Sequence, residues 1–167
     1  MLKHVLVPLD GSTLSQTALD HAIRILEPNG KITLLTVVEA PSVPIYDFYP
    51  TPTTAVTEYS SAIHDATPYA TEYLERLAKE LQDRHRLRVE IEVDMGEPAA
   101  LIIEAAARLN VDAIVMSTHG RSGLGRWLFG SVTQKVLSGS TRPVMVIPGQ
   151  RSAEREKHSK DTNAEKL

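Results

Sequence analysis

Lys3-His4-Val5-Leu6-Val7-Pro8 is the most constraining stretch in the chain: a short, nearly continuous apolar run close to its start. Alternation of polar and apolar residues would mark a strand with one wet face. A near-continuous run instead suits a central strand buried on both faces, and such strands belong to parallel sheets. Further β-rich runs follow at Ile32 to Val38, Val111 to Met116 and Pro143 to Ile147. Val89-Glu90-Ile91-Glu92-Val93 alternates, as a strand near the sheet edge does.

Helical patterns fill the spaces between these runs. Asp10, Ser12 or Thr13 stands where a first helix needs a cap, and Leu14, Ala18, Leu19, Ala22, Ile25 and Leu26 follow a helical period. Pro28-Asn29-Gly30 is expected to stop that helix. Residues 40 to 60 hold Pro41, Pro44, Pro50 and Pro52 among Ser, Thr and Tyr, which reads as a long loop. A second helix is expected over about Ala62 to Arg86, with Pro68 near its first turn. Gly96-Glu97-Pro98 opens a third, with Leu101, Ile102, Ala105, Ala106 and Leu109 as its apolar positions, and Ser131 to Ser138 forms a fourth. From residue 149 to 167 the chain is charged and almost without apolar residues, the composition of a disordered tail.

Strands alternating with helices imply right-handed crossovers and an α/β doubly wound sheet with helices on both faces. Five strands suggest the parallel order 3-2-1-4-5. The chain then reverses direction between strands one and four, and ligands bind beyond the carboxyl ends of the strands at such a switch point. Two segments lie there: Pro8 to Ser12, and Met116 to Thr133.

At 167 residues the chain suits one compact domain over 1–148. It has no cysteine, which excludes a disulfide framework, a thiol nucleophile and a Cys-based zinc site. Its apolar runs fall short of the roughly 20 residues that cross a bilayer, and no signal-peptide pattern precedes the first strand, so a cytoplasmic protein without a membrane partner is expected. A net charge of −3 argues against a dedicated nucleic-acid binder. Asp20-His21 and His64-Asp65 find no partners at metal-ligand spacing, so no metal site is expected.

The richest chemistry lies in Ser117-Thr118-His119-Gly120-Arg121-Ser122-Gly123-Leu124-Gly125-Arg126-Trp127-Leu128-Phe129-Gly130-Ser131-Val132-Thr133. Its glycines let backbone amides approach a ligand closely. Gly130-Ser131 opens a helix whose exposed N–H groups and dipole favour an anion. The hydroxyls of Ser131 and Thr133 add donors. Hydrogen bonds to a charged phosphate contribute roughly 1.5–3 kcal/mol each, so three or four support micromolar binding, about −8 kcal/mol.

This stretch resembles the universal stress protein family, whose nucleotide-binding members carry Gly-x2-Gly-x9-Gly-Ser/Thr here. Gly120, nine residues, then Gly130-Ser131 match the second half, while Ser117 replaces the first glycine. The resemblance runs from about Lys3 to Pro148 and includes Val5-Leu6-Val7-Pro8-Leu9-Asp10-Gly11-Ser12 and Arg142-Pro143-Val144-Met145-Val146-Ile147-Pro148. It implies a stress-response regulatory protein binding ATP, or AMP or ADP, with or without magnesium. Pro8, Asp10 and Val37 would line the adenosine pocket, and Met116, Ser117, His119 and Gly120 would contribute from the end of strand four. Gly130, Ser131, Val132 and Thr133 would hold the phosphates. The side chain of Ser117 is expected to weaken binding rather than abolish it. The resemblance also implies a homodimer through the last strand, Pro143 to Ile147.

No general base, Walker-type lysine or acidic metal pair is evident, so no catalytic residue is assigned and slow ATP hydrolysis at most is expected. The rival from another class is a nucleotide-independent dimeric interaction protein of the same fold. A phosphoacceptor receiver would need an acid pair after strand one, where Asp10 stands alone. Dehydrogenase and nucleotidyltransferase motifs are absent from Pro8 to Ser12.

Overall fold

Nine elements follow one another in the computed structural model, which describes residues 1–39, 53–118 and 130–148, the side chains of 53–65 excepted. They are β1 (Leu2–Pro8), α1 (Thr13–Ile25), β2 (Leu26–Val38), α2 (Thr53–His85), β3 (Arg88–Met95), α3 (Pro98–Arg108), β4 (Ala113–Thr118), α4 (Ser131–Gly139) and β5 (Val144–Pro148). The five strands form one parallel sheet in the order β3-β2-β1-β4-β5. The expected α/β doubly wound topology is the one observed.

The apolar run of β1 explains its central place. Val5, Leu6 and Val7 are fully buried, and successive side chains point to opposite faces. Val5 and Val7 pack with Ala18, Leu19 and Ala22 of α1 and with Leu74, Leu77 and Leu81 of α2. Leu6 packs on the other side with Ile102, Ala105 and Ala106 of α3 and Val136 of α4. Each face of the sheet thus has its own pair of helices. β3, at the edge, keeps Val89, Ile91 and Val93 on the α1/α2 side, while Glu90 and Glu92 between them carry the other.

The fourth strand runs over Ala113–Thr118, two residues later than expected, and two helix boundaries differ with consequences for the neighbouring elements. The first helix ends at Ile25, and Leu26 is already extended, with φ −73° and ψ 147°. Pro28 disfavours helix at the residue before it and supplies no amide of its own. The chain then takes a bulge: Leu2 pairs with Leu26, His4 with Lys31, and Asn29 between them has φ 62°. Gly30 is required in this bulge, because a Cβ there would stand 2.9 Å from the Glu27 carbonyl oxygen.

The second helix starts at Thr53, inside the segment whose composition reads as loop, and it continues through Pro68. Pro68 is exposed, so the backbone hydrogen bond that its missing N–H removes is lost where water reaches. The helix is anchored beyond it by Leu74, Leu77, Ala78 and Leu81, which pack on the sheet. Arg121, Arg126, Trp127 and the 149–167 segment lie outside the described residues.

Candidate functional site

β1 lies between β2 and β4, so the carboxyl ends of these three strands open side by side. A cavity of about 640 Å³ sits there, between the strand ends and the first turns of α3 and α4. That volume falls within the roughly 300–1,000 Å³ of small-molecule sites. Pro8 of β1 lines it with Leu9 and Asp10 just beyond, Leu35 and Val37 of β2 with Glu39 just beyond, and Met116 and Ser117 of β4. Ser15 of α1, Pro98 and Ile102 of α3, and Gly130, Ser131, Val132 and Thr133 at the start of α4 complete the wall.

The walls are held by bonds between elements. Leu9 N–H donates to the Leu35 carbonyl at 2.8 Å, and Thr36 Oγ1 donates to the Leu9 carbonyl at 3.0 Å. These tie the chain leaving β1 to β2. Asp10 sits just beyond, its Oδ1 accepting from the Ser12 amide at 3.0 Å and from Ser12 Oγ at 2.6 Å. Ser12 Oγ in turn accepts from the Ser15 amide at 3.1 Å, which makes Ser12 the cap of α1. Of the three candidate caps, Asp10 orients the cap and Ser12 is the cap.

α4 begins differently. Gly130 occupies its N-cap position with φ −58° and ψ 157° and makes no side-chain cap. Its amide donates to Oγ1 of buried Thr118 at 3.3 Å, which fastens the start of α4 to the end of β4. The next amides, at Ser131, Val132 and Thr133, belong to the first turn and have no acceptor within the helix. They edge the cavity together with the hydroxyls of Ser131 and Thr133. A Cβ on Gly130 would meet nothing within 4 Å, and its φ is one that any residue adopts. No protein contact among the described residues calls for glycine here.

The rim is charged. Glu97 caps α3 by accepting from the Ala100 amide at 2.7 Å, and its other oxygen accepts from Lys135 Nζ of α4 at 2.8 Å. The Lys135 ammonium, and then the Ala100 amide, hold the Glu97 carboxyl below its ordinary pKa. This pair joins α3 and α4 next to Pro98, on the cavity wall. Among the described residues no cluster of three His, Cys, Asp or Glu side chains is arranged to hold a metal ion.

Nine of the eleven residues singled out from the sequence line this one cavity: Pro8, Asp10, Val37, Met116, Ser117, Gly130, Ser131, Val132 and Thr133. His119 and Gly120 lie outside the described residues. Sequence reasoning missed Leu9, Ser15, Leu35, Glu39, Pro98 and Ile102, and the supporting Thr118. Leu35 and Glu39 were recoverable, because they flank Val37 at the two-residue period of a strand. Ile102 carried no such signal; its place depends on how α3 packs.

Comparison with protein families matches residues 1–148 to the universal stress protein family. Universal stress protein MJ0531 of Methanocaldococcus jannaschii is 30% identical over 148 residues, covering 88% of this chain and 82% of its own. The solved structure of MJ0577, from the same organism, superposes with a TM-score of 0.74 at 27% identity, covering 90% of this chain and 98% of that one. A universal stress protein family protein from Arabidopsis thaliana, solved with AMP bound, shares the fold with a TM-score of 0.59 at 19% identity, covering 92% of this chain and 94% of that one. With its sheet order, its switch-point cavity and a match over residues 1–148, the chain belongs to the universal stress protein family.

Proposed function

We propose that the cavity binds an adenine nucleotide, ATP in preference to ADP or AMP, and that the protein is a nucleotide-responsive regulator of the stress response. The observation that carries this reading is the uncapped start of α4 opening onto the cavity at Gly130. Three first-turn amides and two hydroxyls there form a cradle for phosphate oxygens. Pro8, Val37 and Met116 give the adenosine an apolar bed, and Asp10 offers an acceptor to the ribose hydroxyls. His119 and Gly120, expected to contribute from the end of strand four, lie outside the described residues. A protein of this fold that holds AMP supports the same assignment.

Binding rather than turnover is the function proposed. The cradle presents donors, and among the described residues that line the cavity there is no lysine or histidine to assist a leaving group or activate water. Homodimerisation through the outer edge of β5, where Met145 is exposed, accompanies this reading. A second reading, an interaction protein that works through that edge without nucleotide, is favoured by Ser117, whose side chain occupies cavity space that a glycine would leave open.

Isothermal titration with ATP, ADP and AMP, with and without magnesium, separates the two. The wild type is expected to bind with micromolar affinity, about −8 kcal/mol. Gly130→Val is expected to show no heat while melting within a few degrees of wild type. A folded, dimeric wild type that binds none of the three would overturn the nucleotide reading and leave the interaction protein.

A further inference from the structure

Building on that nucleotide reading, we propose that Glu39 reads the base: its carboxylate accepts a hydrogen bond from the exocyclic amine of adenine. Leu35, Val37 and Glu39 line the cavity, whereas Thr36 and Val38 between them do not. This continues the alternation of β2, which ends at Val38: Leu35 and Val37 pack on the α3/α4 side, and Glu39, the next residue after the strand, lines the same cavity. The backbone leading to it is held on both flanks. Leu35 accepts from the Leu9 amide at 2.8 Å, and Val38 accepts from the Gly96 amide at 3.1 Å.

The strand order then fixes which part of a nucleotide Glu39 meets. α4 springs from beyond β4, β1 lies next, and β2 is the strand after that. Glu39 therefore stands two strand spacings, about 10 Å, from the end of β4. A nucleotide whose phosphates sit on the α4 amides places its ribose over β1, beside Asp10, and its base over β2. The cavity is bipolar along this line, with amide donors at one end and a carboxylate acceptor at the other.

Glu39 also differs from the nearby acid Glu97. The Glu97 carboxylate is engaged by Lys135 and the Ala100 amide. Glu39, among the described residues, makes no ion pair or hydrogen bond and is exposed. An ionised carboxylate only accepts, so it selects for an N–H donor on the ligand and against a group that lacks one. The amine of adenine is such a donor at the base end.

The test is a cycle on the intact protein. Wild type and Glu39→Ala are each titrated with ATP and with purine riboside 5′-triphosphate, which carries hydrogen in place of the amine. Deleting the amine is expected to weaken wild type about five- to tenfold, and Glu39→Ala less than about twofold. Glu39→Gln keeps an acceptor oxygen and is expected to restore part of the preference. Equal losses in wild type and Glu39→Ala would overturn the role of Glu39, as would a wild type that binds the two triphosphates equally well. A wild type that binds neither overturns the nucleotide reading itself, and the role of Glu39 with it.

Discussion

At the amino end of the sheet, Asp112 Oδ2 accepts from the amides of Lys3 and His4 at 2.6 and 2.9 Å, and the Asp112 amide donates to the His4 carbonyl at 2.8 Å. His4 Nε2 pairs with Oγ1 of fully buried Thr33 at 2.9 Å, and Arg142 donates to Asn110. At the carboxyl end, by contrast, α4 starts on an uncapped glycine before a cavity of about 640 Å³. Backbone polar groups left without partners cost free energy, so one end spends its side chains on closing the fold. The other end, among the described residues, leaves the first turn of α4 without a side-chain cap, where the proposed ligand would sit. The contrast is repeated within the carboxyl end itself, where Ser12 caps α1 and Glu97 caps α3.

The largest test of this contrast is to close α4 as α1 is closed. Gly130→Asp places a carboxylate where a capping side chain accepts from the first-turn amides and meets the positive end of the helix dipole. Among the described residues nothing stands within 4 Å of a Cβ at Gly130. Stability is expected to rise by about 0.5 kcal/mol, while nucleotide affinity falls by about 100-fold or more. Thermal melting and titration read the two effects separately. Undiminished binding would show that the anion does not sit on α4, and the comparison between the ends would fail.

Most of this contrast can be read in the linear chain, and the parts that cannot share a cause. The near-continuous run of β1 and the alternation of Val89, Ile91 and Val93 report burial on two faces and on one, which marks a central and an edge strand. The full order and its switch point follow from the doubly wound arrangement that five alternating strands suggest, not from periodicity alone. Gly130-Ser131 reports the open helix start because no capping side chain precedes it. The start of α2 was hidden because Ser, Thr and Pro over residues 40–60 speak only for local propensity, which tertiary packing overrides. The apolar residues that anchor that helix lie beyond Pro68, in Leu74 to Leu81. Pro98 and Ile102 were invisible as cavity residues for a similar reason, since α3 reaches the site only through its packing on the sheet.

A smaller test attacks the closed end. Asp112→Ala removes the acceptor for two backbone amides at an exposed position, which is expected to cost about 1 kcal/mol and lower Tm by about 4 °C. Nucleotide affinity is expected to stay within about twofold, because the cavity lies at the opposite end of the strands. The same residue sets an acid limb. The His4 amide, and then the Lys3 amide, hold the Asp112 carboxyl below its ordinary value. Its contribution is complete above the carboxylate range and is lost as pH falls through the lowered folded pKa. Asp112→Asn should flatten stability against pH below about pH 4. An affinity loss in Asp112→Ala as large as the stability loss would mean that the two ends are coupled.

The smallest effect expected is that of His4. Burial is the main cause holding its imidazole below the ordinary value, and the Lys31 ammonium adds to it; Glu90 and Asp112 pull the other way, and Arg88 lowers it further. Lowering prevails, so the folded protein binds the proton less readily than the unfolded chain. Its contribution to stability is therefore complete above about pH 6.5 and declines as pH falls from there through the folded pKa. Melting at pH 7 and pH 5.5 is expected to show a fall of about 1–2 °C in wild type that is absent in His4→Gln, whose amide can still bond Thr33. Taking the difference between the two proteins cancels every titration they share, including any at the cavity. If the variant keeps the wild-type slope, the proton is taken up elsewhere. The amino end would then be closed by Asp112 without a histidine that senses pH.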